Sequence, residues 1–170
     1  MMLSSTPIPQ PPSSASSSSS AAHLLALLAE PDIELQSLAL TKLIDVVDTQ
    51  WHEISDHLAD LEALAEPEQG AELETRQLAS AVASRVFFHL EEPIQALRLA
   101  LEAGEKYFNL YEKSLYNEAM LQAAMEVYTN PDSKTDEHNL LDAKKLHTVV
   151  QLMFDRCYRD GCYGHALGGK

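Results

Sequence analysis

The stretch TQWHEISDHLADLEALA, residues 49–65, decides the fold because its apolar residues recur at helical spacing. Successive apolar positions are 3, 4, 3 and 4 residues apart, which places them on one face of an α-helix. These positions are Trp51, Ile54, Leu58, Leu61 and Ala65. Acidic residues fall mainly outside the apolar stripe, as expected of a helix with one buried face.

The same stretch is one residue away from H-E-x-x-H, the zinc-protease signature. In that signature two histidines at i and i+4 reach one metal ion from one helical face. His52 and His57 are instead at i and i+5, about 140° apart around a helix. They cannot share an ion on a regular helix, so the stretch predicts an amphipathic helix and not a metalloprotease.

The first 20 residues differ in composition from the rest of the chain. They read MMLSSTPIPQPPSSASSSSS, which is rich in Ser and Pro and carries no charged side chain. Such a segment buries too little apolar surface to offset its ordering entropy, so we predict a disordered tail over residues 1–20. It lacks the basic start of a secretory signal, and no apolar run in the chain approaches the ~20 residues that span a bilayer.

The net charge of −14 argues against nucleic-acid or anionic-membrane partners, because phosphates demand clustered Lys and Arg. No Gly-rich phosphate loop and no G-x-S-x-G motif are present. We therefore expect no enzyme activity, no cofactor and no small-molecule substrate. Two cysteines, Cys157 and Cys162, in a chain without a signal peptide favour the cytosol or nucleus.

Helical patterns cover the body of the chain, and strand patterns are absent. Helices are predicted over about 21–29, from 31 onward, and over about 49–65, 73–90, 93–104, 113–129 and 137–158. Short connections make consecutive helices antiparallel neighbours. The predicted fold is all-α, either a bundle or stacked hairpins, and the hairpin-like pattern favours an α-solenoid rod over residues 21–167.

Apolar positions of these helices define the predicted core and a set of aromatic residues beside it. The predicted core comprises Leu38, Leu43, Val47, Trp51, Ile54, Leu58, Val82, Val86, Phe87 and Leu97. Trp51 is placed there as a buried residue. Aromatic residues around the fifth helix are predicted to pack between hairpins, and exposed members could instead anchor a partner. The candidates for partner contact are Tyr107, Phe108 and Tyr111.

One further set of residues has the chemistry of zinc ligands: His147, Cys157, Cys162 and His165. Their spacing matches no compact zinc knuckle. His147 and Cys157 would lie roughly 15 Å apart on one helix, too far to hold one ion. We therefore predict no metal site, with Cys157 a small core residue.

Two longer stretches resemble a known family. They are LALTKLIDVVDTQWHEISD (residues 38–56) and LASAVASRVFFHLEEPIQALRLALEAGEKYFN (residues 78–109), followed by SLYNEAM. Together they resemble the N-terminal region of the larger proteasome/cyclosome-repeat scaffold subunit of the proteasome regulatory particle, its non-ATPase subunit one. The likeness runs in order over about residues 21–167.

This resemblance implies a non-catalytic helical rod that helps to hold the lid and the ATPase ring of the regulatory particle together in ubiquitin-dependent degradation. It also implies a location in the cytoplasm and nucleus. The sequence departs from the family at its Ser/Pro-rich start and at CYGHALGGK, where the family continues, so residues 168–170 are interpreted as a truncated end. Two alternatives stay open: a stand-alone peptide-binding adaptor, and, more remotely, a hydrolase that would need stoichiometric zinc.

Overall fold

Residues 20–130 and 141–161 are described by a computed structural model, and within them the chain forms seven α-helices and no strand. The helices are α1 (Ser20–Leu28), α2 (Ile33–Ser55), α3 (Leu58–Ala65), α4 (Leu73–His89), α5 (Pro93–Ala103), α6 (Leu115–Thr129) and α7 (Ala143–Asp160). A short 3-10 helix, Pro67–Gln69, follows α3. The all-α prediction is confirmed. The predicted tail, apart from Ser20, and the predicted truncated end lie outside the described residues.

Side-chain caps fix the starts of three helices. Asp32 accepts hydrogen bonds from first-turn N–H groups of α2, the shorter over 2.9 Å, and Ser114 accepts one at the start of α6 over 3.1 Å. Asp142 does the same for α7 over 2.9 Å, and these backbone bonds lower the pKa of its carboxyl group. Since Asp142 is the cap, the predicted start of the last helix near residue 137 was wrong.

The predicted boundary between the second and third helices coincides with a kink, and a further break inside the predicted third helix was missed. We predicted a break near residue 49, and two helical segments meet there: the backbone of α2 is non-helical at Gln50, where φ is −121° and ψ is 20°. No Pro or Gly stands there to end the helix. The Gln50 side chain instead accepts a hydrogen bond of 3.0 Å from the N–H of Ala21, which ties α1 to the kink. A second break, at Asp56 and His57, divides the helix that was predicted over residues 49–65.

A tight reversal joins α4 to α5. Glu91 adopts a left-handed backbone conformation with φ of 62°. The N–H of Glu92 donates to the carbonyl of Phe87 over 3.0 Å, and that of Glu91 donates to Phe88 over 3.2 Å. These two bonds form a Schellman motif, in which glycine usually occupies the left-handed position. Pro93 then opens α5 without losing a helical hydrogen bond.

Helix α4 lies at the centre of the described fold. Every residue from Leu78 to Ser84 is buried, which requires neighbours on all sides of the helix. Most of these residues are Ala or Ser, whose small side chains let the neighbouring helices approach closely. A sequence prediction that assumes one buried face and one exposed face does not apply to such a helix.

Two hydrophobic clusters meet at α4. The first joins α1 to α4 and includes Leu99 of α5. The second joins α5, α6 and α7 and is capped by Phe108 and Leu110 of the intervening loop. Phe87 packs against both clusters, so the end of α4 links the two halves of the core.

The predicted core residues fall into three groups by exposure. Fully buried are Leu43, Val47, Ile54, Val82, Val86 and Leu97. Partly buried are Trp51, Leu58 and Phe87, so the placement of Trp51 as a fully buried residue was wrong. Leu38 is 52% exposed, and its assignment to the core was also wrong. The reason is helical phase: α2 buries Leu40, which lies about 200° around the helix from Leu38.

Packing runs chiefly between helices that are close in sequence. Helix α1 packs on α2, α2 and α3 pack on α4, and then α4 on α5, α5 on α6 and α6 on α7. Stacked hairpins require this nearest-neighbour order, and the solenoid arrangement itself stays a prediction. None of the described helices combines the length and apolar character that a membrane span needs.

Candidate interaction surfaces

The two histidines of the opening stretch lie in different helices. His52 is in the last turn of α2, and His57 precedes the first residue of α3. Their side chains are 62% and 45% exposed. His57 Nδ1 lies 3.2 Å from Asp60 Oδ2, and His52 Nε2 lies 3.9 Å from Glu53 Oε1. Each imidazole therefore contacts its own acidic neighbour, and the two do not converge on one point.

The second candidate metal set is only partly described. His147 is exposed on α7, whereas Cys157 is buried on the same helix. Cys162 and His165 lie outside the described residues. Over residues 20–130 and 141–161, no group of three or more His, Cys, Asp and Glu is arranged to hold a metal ion.

A polar and aromatic junction joins α2 to α4. Asp48 Oδ2 accepts from Arg85 Nη1 over 3.0 Å, and Asp48 Oδ1 lies 3.0 Å from His89 Nε2. The Trp51 ring stacks on the His89 ring with centroids 5.7 Å apart and planes 8° apart. Trp51 therefore covers a polar contact at the edge of the core, which explains its partial exposure.

A buried hydrogen-bond network joins α4, α5 and α6. Ser84 Oγ donates to the carbonyl of Ala96 over 2.5 Å, so the 2.6 Å contact with Tyr116 must be donated by the tyrosine hydroxyl. Burial raises the pKa of Tyr116 to about 12. The Arg85 guanidinium lies 4.7 Å from the centre of the Tyr116 ring. Sequence reasoning missed this network, because a serine among alanines carries no pattern that announces a buried partner.

The three aromatic candidates for partner contact have different surroundings. Phe108 is only 5% exposed and packs in the second cluster, so its candidacy for partner contact was wrong and inter-helix packing holds for it. Tyr107 is half-buried against the first cluster, and its hydroxyl lies 3.4 Å from Glu74 Oε1. Tyr111 is 53% exposed, and the Arg159 guanidinium lies 5.6 Å from its ring centre. Of the three, Tyr111 offers the most surface, and its contact with a partner stays a prediction.

Other large apolar side chains are also exposed in the described part of the chain. They are Ile33, Leu38, Leu73, Leu90, Leu115, Tyr128 and Tyr158. They are spread over α2, α4, α6, α7 and the α4–α5 turn. Isolated exposed apolar residues are common on proteins, so none of them alone marks a binding site.

A groove of about 680 Å³ runs between α1 and α3. Ala22, Ala26 and Ala29 line it from α1 at helical spacing, together with the largely buried Leu25. Leu64 faces them from α3. The i, i+4, i+7 spacing of the three alanines is visible in the sequence, but the sequence alone does not say what they face.

The rim of this groove is acidic. Glu53, Asp56 and Asp60 line it, and His57 is the one other residue with an ionisable side chain among those that line it. The wider region has the same excess of acidic residues: residues 20–75 contain thirteen Asp and Glu but only one Lys or Arg, Lys42. This region therefore carries a charge of −12 out of the chain's −14.

Ion pairs offset the charge of Glu62 and Glu74 in this region and of Glu102 on α5. Arg98 Nη2 lies 2.7 Å from Glu62 Oε1, linking α5 to α3, and Lys145 Nζ lies 3.0 Å from Glu102 Oε2, linking α7 to α5. Lys106 pairs with Glu74, and this contact lowers the pKa of the glutamate. Each exposed pair contributes little alone, but together they bridge helices on both sides of α4.

Comparison with known proteins gives one consistent result. The family described as "26S proteasome subunit RPN2, N-terminal domain" matches residues 19–169. A 26S proteasome regulatory subunit RPN2 from Eremothecium gossypii is 37% identical over 149 residues, covering 86% of this chain and 16% of the relative. The RPN2 of Saccharomyces cerevisiae is 33% identical over 154 residues, covering 86% of this chain and 16% of that protein.

A plant relative extends the comparison. The 26S proteasome non-ATPase regulatory subunit 1 homolog A of Arabidopsis thaliana is 39% identical over 147 residues, covering 85% of this chain and 14% of the relative. The chain thus spans only 14–16% of the length of these relatives. The family resemblance found in the sequence is confirmed. Since the family match covers residues 19–169, this chain belongs to the family of the 26S proteasome subunit RPN2, N-terminal domain.

Proposed function

We propose that this chain acts as a non-catalytic scaffold segment of the proteasome regulatory particle base, supporting ubiquitin-dependent protein degradation through protein–protein contacts. The family match over residues 19–169 carries this proposal. The names of the relatives, which are regulatory subunits of the 26S proteasome, support it. The proposed partners are other subunits of the regulatory particle, in its lid and ATPase ring, and the proposed location is the cytoplasm and nucleus.

The proposed mechanism is geometric, and the packing around α4 supports it. A helix buried on all sides cannot slide or rotate without disturbing both clusters. The bonds from Ser84 to Ala96 and from Tyr116 to Ser84 fix the positions of α5 and α6 relative to α4. A segment held in this way presents its outer faces at constant distances, which is what a docking scaffold requires.

Affinity capture of the tagged chain from native lysate, with partners identified by mass spectrometry, tests the proposal. Recovery of proteasome lid or ATPase subunits in stoichiometric amounts is the expected result. A chain lacking residues 2–19 should recover them equally if the helical body docks. Leu97→Asp, which places a charge in the core, should recover none and controls for adhesion of the tag. Capture of the parent chain alone, in soluble form, would contradict the proposal.

A further inference from the structure

We propose that the groove between α1 and α3 docks a basic amphipathic helix of a partner protein. The inference deepens the proposed scaffold role and rests on it, because it gives the chemistry of one docking partner. Two independent features of the groove support this proposal: the shape of its apolar surface and the negative charge of its acidic residues.

The shape of the groove fits a helix. Helix α1 has nine residues and is therefore about 14 Å long, which matches two to three turns of a docked helix. The exposed alanines Ala22, Ala26 and Ala29 form a low ridge that lets a second backbone approach closely. Leu25, Leu28 and Leu64 line the groove as its larger apolar residues, and apolar anchors at i, i+3, i+4 and i+7 of a partner helix can contact them.

The acidic residues of the groove favour a partner helix of positive charge. Glu53, Asp56 and Asp60 are among the residues that line the groove, and no Lys or Arg of the described chain lines it. A partner helix with Lys or Arg beside its apolar face would place opposite charges against this rim. Opposite charges speed the encounter between the two proteins and fix the orientation of the partner helix. This attraction weakens as the salt concentration is raised.

Two other occupants fit this rim poorly. Residues 1–19 of this chain carry no charged side chain to oppose the carboxylates. A second copy of the chain brings a net charge of −14, which opposes association with an acidic surface. Complementarity therefore favours a basic partner segment over self-association.

The test uses the full chain and a fluorescent 20-residue helix-forming peptide with Leu and Ala on one face and Lys on the other. Binding is measured by fluorescence anisotropy at low and moderate salt. The matched peptide carries Glu in place of every Lys. Saturable binding of the Lys peptide, and at least about tenfold weaker binding of the Glu peptide, is expected.

Variants locate the site. Ala26→Gln fills the groove and should weaken binding of the Lys peptide at least about tenfold. This loss is expected because an apolar anchor residue of the peptide can no longer enter the groove. Ala59→Gln makes the same change on an exposed face of α3 outside the groove and should leave binding unchanged. Asp56→Asn with Asp60→Asn should weaken binding about fivefold, while Asp45→Asn on α2 should not.

Each contrary outcome is informative. Equal binding of both peptides overturns the charge argument, and wild-type affinity in Ala26→Gln overturns the location. A dimer that Ala26→Gln abolishes would assign the groove to a second copy. Tighter peptide binding after removal of residues 2–19 would assign it to the chain's own start. If the Lys peptide does not bind but proteasome subunits are still captured, only the proposal for the groove is refuted. If the peptide binds but no proteasome subunit is captured, the proposed scaffold role is refuted.

Discussion

Removing the hydroxyl group of Tyr116 tests the buried network that joins α4, α5 and α6. This hydroxyl donates to Ser84 Oγ over 2.6 Å. Tyr116→Phe keeps the ring and its edge contacts with Phe88 and Phe108, so packing is preserved while one buried hydrogen bond is lost. The free energy of unfolding should fall by about 1 kcal/mol at pH 8.

The raised pKa of Tyr116 predicts how this difference changes with pH. The pKa is about 12 in the folded chain against an ordinary value of 10.0, because burial disfavours the phenolate. The folded state therefore holds the proton more tightly, and this stabilisation is fully present below pH 10 and lost as the pH rises to about 12. At about 1.4 kcal/mol for each pH unit between the two pKa values, the parent chain loses about 1.4 kcal/mol relative to the variant by pH 11.

Urea unfolding followed by far-UV circular dichroism at pH 8, 10 and 11 provides the measurement. The stabilities of the parent chain and Tyr116→Phe should converge near pH 11, because other titrating groups are common to both. Tyr111→Phe removes a hydroxyl from an exposed side chain and should stay within about 0.5 kcal/mol of the parent at pH 8. A difference between parent and Tyr116→Phe that is constant from pH 8 to pH 11 would refute the buried network.

Three further predictions concern α2 and the turn after α4. Trp51→Ala should cost about 2 kcal/mol, less than the 3–5 kcal/mol typical of a fully buried tryptophan, since the ring is partly exposed and stacked on His89; an unchanged melting temperature would contradict the stacked placement. Leu40→Ala should cost about 2–5 kcal/mol in urea unfolding while Leu38→Ala changes stability by about 0.5 kcal/mol or less, and similar losses in both would mean that the phase of α2 is wrong. Glu91→Gly should raise the free energy of unfolding by about 1 kcal/mol by relieving the left-handed backbone, and a destabilised variant would argue against that conformation.

Periodicity predicted the helices well where one face is buried and the other exposed. The stripe of α2 that contains Leu43, Val47 and Ile54 is fully buried, as its spacing indicates. The error at Leu38 arose because Leu38 and Leu40 are both apolar residues within one turn, and only packing in the first cluster selects between them. Periodicity indicates which segments have a buried helical face, and tertiary contacts decide which residues at the margin of that face are buried.

Helix boundaries and polar contacts between helices were harder to predict from the sequence. The break at Asp56 and His57 contains no Pro or Gly, and the hydrogen bond from Ala21 to Gln50 joins residues 29 positions apart. The bond between Ser84 and Tyr116 spans 32 residues and joins side chains whose local sequences look ordinary. The groove between α1 and α3 exists only once α2 has set the distance between its walls. Local patterns encode which segments are helical, whereas these features depend on how the helices meet.

The composition of the first hydrophobic cluster has a consequence for synthesis on the ribosome. This cluster draws on residues from Ala21 through Leu99, so the earliest helices to emerge cannot complete their core until α4 and part of α5 have followed. Helices α6 and α7 contribute nothing to it, so this first half can close while the rest of the chain is still being translated. Until then the apolar faces of α2 and α3 that pack on α4 stay exposed to solvent.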